Sequence, residues 1–200
     1  MAYTNLIGDG WATNGVPLLP NIGTIPFTGR WIFVDAVNGS DGNEGTAGNP
    51  VQTLAYAYSL MTEGNNDVVV LMQRPTTAAA TTGTFRLSAS LTWAKSACHL
   101  IGMTAPTIIG QRARIAPLTT ATTNLAPLMT ISAQGCYFSN FSIFQGTGQA
   151  ATAETVVDIT GQRNYFGNVA FQGMGSANGA ANSGSYDIYL NGGSENTFDS

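Results

Sequence analysis

The sequence predicts an all-β protein built as a solenoid, in which short parallel strands coil on top of one another. The first reason is a repeat whose copies begin at Met129 (MTISAQGCYFSNFSIFQG), Val157 (VDITGQRNYFGNVAFQG) and Ile188 (IYLNGGSENTFDS). Ile131 and Ile159 lie 28 residues apart, as do Phe138 and Phe166, and such a period with strand-like alternation is typical of solenoids. The second reason is composition: 9% charged residues and 24 glycines favour β-structure with many corners over long helices.

Alternation within the repeat predicts which side chains fill the interior. In the second copy we expect Val157, Ile159, Phe166, Val169 and Phe171 to point inward, and Asp158, Thr160, Tyr165 and Ala170 to point outward. Stacking of the copies then predicts an aromatic column (Phe138, Phe166, Phe198) and an aliphatic column (Ile131, Ile159, Leu190). Glycine, asparagine and serine recur between the strands, where the chain must turn.

Length and charge narrow the class of protein. Two hundred residues suffice for one domain with a sizeable core. A net charge of −4 with seven Lys and Arg argues against nucleic-acid binding, which needs a dense basic surface; we interpret the one basic pair, Arg112 and Arg114, as a solvated loop. The sequence shows no long apolar run and no secretory signal, so we expect no membrane insertion and a chain that begins near Met1 in a cytoplasm.

Residues 1–29 are predicted to form an irregular anchoring arm, and residues 30–200 the solenoid domain. Three prolines and repeated glycines oppose regular structure over most of the arm. The arm is nevertheless apolar at Trp11, Leu18, Leu19, Ile22, Ile25 and Phe27. An irregular segment with so many apolar side chains is expected to dock on its own domain or on another subunit.

The solenoid is expected to begin at RWIFVDAV, a strand that places Trp31 on one face and Ile32 on the other. After the loop NGSDGNEGTAGNP we predict a capping helix over about residues 50–62, because Pro50 is a favoured first helical residue. Leu54, Ala57, Tyr58 and Met61 follow at helical spacing. A helix laid across the end of the stack would cover its core and its strand edges.

Further strands are predicted at DVVVLM, from Asp67, and within FRLSASLTWAKSACHLIGM, from Phe85. The segment from Thr104 to Pro127 is longer than one corner requires. We interpret it as an excursion from the wall, with a small strand at IIGQRARIAP.

Cys98 and Cys136 occur in similar local sequences, ACHLIGM and GCYFSNF, 38 residues apart. This spacing predicts neighbours in one column, followed by Asn164 and then by Glu195 or Asn196. We favour reduced thiols over a disulfide, because in-register parallel strands seldom give the required sulfur geometry.

The segment FVDAVNGSDGNEGTAGNPVQTLAYA resembles the start of right-handed parallel β-helix proteins of the pectate-lyase-like superfamily, in which a strand ending in Val-Asp precedes a Gly/Asn/Asp loop, a proline and a capping helix. Within that superfamily the chain is similar to β-helix proteins of bacteriophage virions, including tailspikes and fibres. The resemblance covers about residues 31–72 by motif and the remainder by repeat pattern. It implies a right-handed parallel β-helix, other virion proteins as partners, a homotrimer, and location in a virion assembled in the host cytoplasm.

Enzymes of this superfamily cleave polysaccharides with carboxylates on the outer wall. Asp158 is the best candidate here, because it is expected to face outward between Thr130 and Tyr189. Glu154 and Asp187 lie nearby in sequence. The alternative is that all three are solvated surface carboxylates, and no lyase motif is visible. The tyrosines Tyr137, Tyr165 and Tyr189 could offer a surface for sugar stacking, or could be ordinary wall residues.

Two candidate metal sites have equally simple structural alternatives. The loop residues Asp35, Asn38, Asp41, Asn43 and Glu44 carry oxygen ligands that suit Ca²⁺. The same residue types are also what a sharp loop before a helix needs. His99, the one histidine, could join the cysteines around a metal, but a structural role is favoured, and no Ser-His-Asp site is indicated. We therefore predict no cofactor, with Ca²⁺ as the one candidate.

The leading hypothesis is a virion structural protein, a tailspike, fibre or capsid-attached spike, that docks through its arm and attaches to the host surface. One alternative is a polysaccharide depolymerase, either a lyase or a glycosidase, and another is a non-catalytic carbohydrate-binding module. Because the third repeat stops just after Phe198, we expect either further coils or a partner at that end.

Overall fold

The computed structural model describes residues 28–72, 83–103, 113–118, 125–145, 155–172 and 186–199. It also describes the backbone of three short strands near the amino terminus: β1 (Thr4–Asn5), β2 (Trp11–Thr13) and β3 (Val16–Leu18). These strands pair antiparallel in the order β1-β2-β3. Regular structure therefore occurs at these eight residues of the predicted arm, and Pro17 is tolerated because β3 lies at the edge of its sheet. Leu19, Ile22, Ile25 and Phe27 lie outside the described residues.

Three parallel sheets form the rest of the described chain, with strands numbered along the sequence. The first sheet contains β4 (Trp31–Val34), β5 (Val68–Leu71), β8 (His99–Gly102), β11 (Tyr137–Ser139), β14 (Tyr165–Gly167) and β17 (Thr197–Asp199). The second contains β6 (Phe85–Leu87), β9 (Ala113–Pro117), β12 (Phe141–Phe144) and β15 (Ala170–Gln172). The third contains β7 (Leu91–Trp93), β10 (Met129–Ile131), β13 (Thr155–Ile159) and β16 (Tyr186–Leu190). From β5 onward the chain visits the three sheets in a constant cyclic order, which fits a parallel β-helix.

The register confirms both predicted columns. Phe138 pairs with Phe166, and Phe166 with Phe198. Their rings are stacked with centroids 4.9 and 4.8 Å apart and interplanar angles of 9° and 8°. In the third sheet the aliphatic column Ile131, Ile159 and Leu190 is also in register. Equivalent side chains therefore lie directly above one another from copy to copy.

The core lies between the sheets. As predicted, Val157, Ile159 and Phe166 are buried in it, while Val169 and Phe171 pack against it partly buried. The first sheet is also apolar on its outer face, where a second cluster contains Val68, Val70, Ile101 and Tyr137, with Trp31, Phe33 and Tyr165 at its margin. The expectation that Tyr137 is an open wall residue is therefore wrong. Its ring stacks on that of Tyr165, with centroids 5.0 Å apart, and is buried in this cluster.

The predicted capping helix exists but is shorter, running from Leu54 to Leu60 (α1). Thr53 is its N-cap, and its side chain accepts a hydrogen bond from the amide of Tyr56. Pro50 does not start the helix, because Val51 forms a parallel bridge with Val34. The helix packs against β4, β5 and β6 and buries Leu54 and Ala57 in the core. Within the described ranges, no helix has the length and apolarity needed to cross a bilayer.

The segment predicted as an excursion contributes a full strand to the second sheet. In β9, Ile115 pairs with Phe85 on one side and with Ile143 on the other. This strand is therefore part of the wall rather than a peripheral addition. The pairing register of β9 with its neighbours could not be predicted from the sequence, because β9 lies outside the repeated segments. Residues 104–112 and 119–124 lie outside the described residues.

Lys95, from the segment between β7 and β8, caps the carboxyl end of α1. Its Nζ donates hydrogen bonds to the carbonyls of Tyr58 (2.9 Å), Ser59 (3.2 Å) and Met61 (2.6 Å). The ammonium also lies 4.9 Å from the centre of the Tyr58 ring. The last turn of α1 contains no basic residue of its own, so Lys95 supplies the cation that a helix carboxyl end favours.

We expect Lys95→Met to lower the free energy of unfolding by about 1–2 kcal/mol, because the capped carbonyls lose charged hydrogen bonds. Urea unfolding followed by circular dichroism measures the change. Lys95→Arg is the matched control and should retain most of the stability, since it keeps the charge. A Lys95→Met protein as stable as the unsubstituted chain would show that the cap contributes nothing.

Candidate functional site

The outer face of the third sheet carries a stripe of polar and aromatic side chains. Thr92, Thr130, Asp158 and Tyr189 pair in register on the successive strands β7, β10, β13 and β16. The predicted position of Asp158 between Thr130 and Tyr189 is confirmed. We call this row the polar stripe.

Asp158 is the chemically distinctive member of the polar stripe. Its side chain is partly buried, and its Oδ1 atom is shielded from solvent with no hydrogen-bond partner among the described residues. A shielded carboxylate oxygen without a donor is energetically unfavourable, and native proteins rarely leave such atoms unpaired. Because this oxygen is shielded, a ligand on the outer face could meet only the exposed remainder of the Asp158 side chain.

Two exposed tyrosines lie at the end of the polar stripe. Tyr186 and Tyr189 are 48% and 44% exposed, and their ring centroids are 5.5 Å apart with an interplanar angle of 30°. Such rings present an apolar face together with a hydroxyl. Tyr189 was predicted from the sequence and Tyr186 was not, because the start of β16 lies before the residues that align in all copies of the repeat.

Of the two other candidate carboxylates, Asp187 and Glu154, the structure describes the position of Asp187. Asp187 is exposed on β16, two residues before Tyr189, and is therefore a diagonal neighbour of Asp158. Standard strand spacing puts the two Cα atoms about 8 Å apart. Glu154 lies outside the described residues.

The carboxylates of the predicted calcium loop hold the loop itself. Asp35 Oδ1 accepts hydrogen bonds from the amides of Val37 (3.0 Å) and Asn38 (3.1 Å). Asp41 Oδ1 accepts from the amides of Gln52 (2.9 Å) and Thr53 (2.8 Å) at the start of α1. This arrangement favours the turn-forming interpretation, because an ion would have to compete with backbone amides for these oxygens.

Two other members of that loop also make local contacts. The Asn43 side chain donates to the carbonyl of Pro50 at 2.8 Å, and the carbonyl of Glu44 accepts from the Arg30 guanidinium. Among the described residues, no group of three His, Cys, Asp or Glu side chains is arranged to hold a metal.

The cysteine column has the predicted order and ends in asparagine. Cys98 and Cys136 are free, buried thiols, and burial raises their pKa values to about 12 and about 11. The amide of Cys136 donates to Asn164 Oδ1, and the amide of Asn164 donates to Asn196 Oδ1, both at 2.9 Å. Asn196, not Glu195, therefore occupies the next position. With such pKa values the thiols remain protonated, which suits a structural role.

His99 has a structural environment. Its Nδ1 accepts a hydrogen bond from the amide of Tyr137 (3.0 Å), and its Nε2 lies 3.3 Å from Asn66 Oδ1. These contacts describe a neutral ring with its proton on Nε2. Burial lowers the pKa of His99 to about 4. The structure thus favours the structural interpretation over a metal ligand.

Comparison with solved structures finds similarity to a rhamnogalacturonan lyase, with a TM-score of 0.51 and 19% sequence identity. The alignment covers 73% of this chain and 37% of that structure, so the chain spans well under half of its length. At this identity the likeness concerns the fold alone. No protein-family profile matches the chain, and no curated protein matches it.

Proposed function

We propose that this chain is a right-handed parallel β-helix protein of a bacteriophage virion, a tailspike, fibre or capsid-attached spike, that attaches to polysaccharide on the host surface. The fold part of this proposal is supported by the cyclic order of the parallel sheets and by the similarity to a rhamnogalacturonan lyase. The virion part rests only on the sequence resemblance to β-helix proteins of bacteriophage virions.

The observation that carries the binding function is the pair of exposed tyrosines, Tyr186 and Tyr189, beside the partly exposed Asp158. A sugar offers an apolar C–H face that packs on an aromatic ring, together with hydroxyls that donate to a carboxylate. Tyr186 and Tyr189 would bind the C–H face, and Asp158 would accept from a hydroxyl. The polar stripe therefore suits a neutral portion of a glycan chain.

Attachment also needs an anchor to the particle. In this proposal the arm, residues 1–29, docks on other virion proteins through its apolar residues, and the β-helix projects outward as a homotrimer. Three β-helices side by side would cover part of one another's walls. The protein would be assembled in the host cytoplasm and located in the virion, with no nucleic acid or membrane among its partners. Ca²⁺ in the loop of Asp35 and Asp41 would be an addition to this proposal and is not required by it.

Binding of the purified full chain to an array of bacterial surface polysaccharides tests the proposal. We expect Asp158→Asn and Tyr189→Ala each to weaken binding by about tenfold, through loss of a charged acceptor and of a stacking surface. Glu63→Gln, which removes an exposed carboxylate elsewhere, is the control and should bind normally. Mass photometry of the same samples measures the oligomer. Absence of binding, or equal binding by all variants, would refute the role of the stripe, and monomers alone at micromolar concentration would refute the trimer.

The second candidate function is a polysaccharide depolymerase, favoured by the diagonal placement of Asp158 and Asp187. Inverting glycosidases hold their two carboxyl groups about 6.5–9.5 Å apart, and Cα atoms about 8 Å apart permit such a spacing. Release of reducing ends or of unsaturated uronate by the unsubstituted chain, lost in Asp158→Ala and Asp187→Ala, would establish this activity. Binding without such release would support attachment.

A further inference from the structure

The charges of this chain are strongly segregated along the sequence. Residues 68–153 contain five of the seven Lys and Arg residues and no Asp or Glu at all. The whole chain carries a net charge of −4, so this segment is locally positive within an acidic protein. The second sheet takes three of its four strands, β6, β9 and β12, from this segment.

Two of these arginines lie on the outer face of the second sheet. Arg86 on β6 pairs with Ala116 on β9, and Arg114 lies two residues before Ala116 on that neighbouring strand. The alternate residues Phe85 and Ile115 are buried in the core, so Arg86 and Arg114 share the opposite, partly exposed face. The four strands of this sheet contain no carboxylate.

Contacts hold both guanidinium groups in place without neutralising them. Arg86 Nη1 donates to the carbonyl of Pro117 at 2.8 Å, which leaves its other N–H donors available. The Arg114 guanidinium lies 5.2 Å from the centre of the Phe144 ring and has no hydrogen bond or ion pair within the part of the chain that the structure describes. Burial lowers the pKa of Arg86, and the charge of Arg114 lowers it further.

Two like charges held close together on a partly buried wall are unfavourable alone and are stabilised by an anion between them. Guanidinium groups bind planar carboxylates and tetrahedral sulfates through paired N–H donors. The Phe144 ring orients one group, and the carbonyl of Pro117 orients the other. The outer face of the second sheet thus presents guanidinium N–H donors in fixed positions, and its four strands carry no carboxylate that would compete for them.

We propose that Arg86 and Arg114 form an oxyanion-binding site on the outer face of the second sheet, which takes the carboxylate or sulfate groups of an acidic polysaccharide. The site is distinct from the polar stripe, which lies on the third sheet. The choice of a polysaccharide as carrier of the anion rests on the proposed attachment function, whereas the choice of an oxyanion rests on the arginines alone. A glycan that contacts both the polar stripe and the arginine site would contain neutral and acidic sugars.

Isothermal titration of the full chain with oligogalacturonate and with sulfated dextran oligomers tests this site, with neutral dextran as the reference. We expect at least one anionic polymer to bind, and Arg114→Gln to weaken it by about tenfold or more. The double variant Arg86→Gln with Arg114→Gln should weaken it further. Arg163→Gln removes the same charge from an exposed ion pair with Glu195 and is the matched control. Circular dichroism confirms that each variant is folded, and within the described residues Arg114→Gln breaks no hydrogen bond and removes the contact with Phe144 and the charge beside Arg86.

Binding of oligogalacturonate alone would identify the anion as a carboxylate, and binding of sulfated dextran alone would identify a sulfate. The proposal is overturned if neither polymer binds, if neutral dextran binds equally well, or if Arg163→Gln has the same effect as Arg114→Gln. Failure of the attachment function gives a different pattern, because that function depends on Asp158 and Tyr189 rather than on the arginines.

Discussion

Replacing Phe166 with alanine should lower the free energy of unfolding by about 3–5 kcal/mol. Phe166 is 2% exposed and lies between Phe138 and Phe198, with ring centroids 4.9 and 4.8 Å away. Its ring also meets that of Phe171 edge to face at 6.2 Å. Truncation leaves a cavity bounded by three rings that the paired backbone holds in register, so the surrounding structure has little freedom to collapse.

The neighbouring residue supplies the control for this prediction. Tyr165 points to the outer face, where its ring stacks on Tyr137 and its hydroxyl donates to Asp199 at 2.7 Å. It is only partly buried, so Tyr165→Ala should cost about 1 kcal/mol. Urea unfolding of both variants gives the two values. Equal costs would mean that the inward and outward assignment of β14 is wrong.

Stability should fall as the pH is lowered from 7.5 to 4.5, with about 2–3 kcal/mol of the loss due to His99. The pKa of His99 is about 4 in the folded chain against 6.5 for an unperturbed histidine. Between these values the unfolded chain binds a proton that the folded chain does not, so falling pH favours unfolding. The contribution is complete above about pH 6.5 and is lost as the pH falls towards 4.

The cause is burial of the ring, and the geometry shows what protonation would break. Nδ1 accepts the amide of Tyr137, and a protonated Nδ1 cannot accept it. His99→Asn keeps an acceptor for that amide and does not titrate, so its unfolding energy should depend less on pH by about 2–3 kcal/mol over this range. The other ionisable groups are the same in both proteins, so the difference between the two isolates the contribution of His99. Identical pH dependence in the two would eliminate His99 as the source.

The sequence predicted the stacked columns because the same residue type returns at the same place in each copy. Phe138 and Phe166 align by inspection, and the wall position of Asp158 follows once they do. The first residue of the helix was harder to predict from the sequence, because the bridge between Val51 and Val34 joins residues on either side of a loop. Local sequence favoured Pro50 as the start, whereas the helix begins at Leu54 with Thr53 as its N-cap.

Sites built from unrelated segments could not be predicted from the sequence. Arg86 and Arg114 are neighbours only because β6 pairs with β9, and neither strand belongs to the repeat. Lys95 reaches the end of α1 across 34 to 37 positions of sequence. The unpaired Oδ1 of Asp158 depends on how neighbouring side chains shield it, which a pattern of residue types does not specify.

The corner after β16 tolerates a change in chain length. Eight positions separate Leu190 from Phe198, against seven between Ile159 and Phe166, yet both pairs stay in register. The backbone absorbs the extra residue near Gly192, whose φ of 81° has no counterpart in the preceding corner, whereas Glu195 (φ 57°) repeats the conformation of Arg163 (φ 56°). Loops can therefore grow or be grafted there during evolution or engineering, while the strands on either side keep their alignment. That corner is accordingly the place to display a foreign peptide on this scaffold.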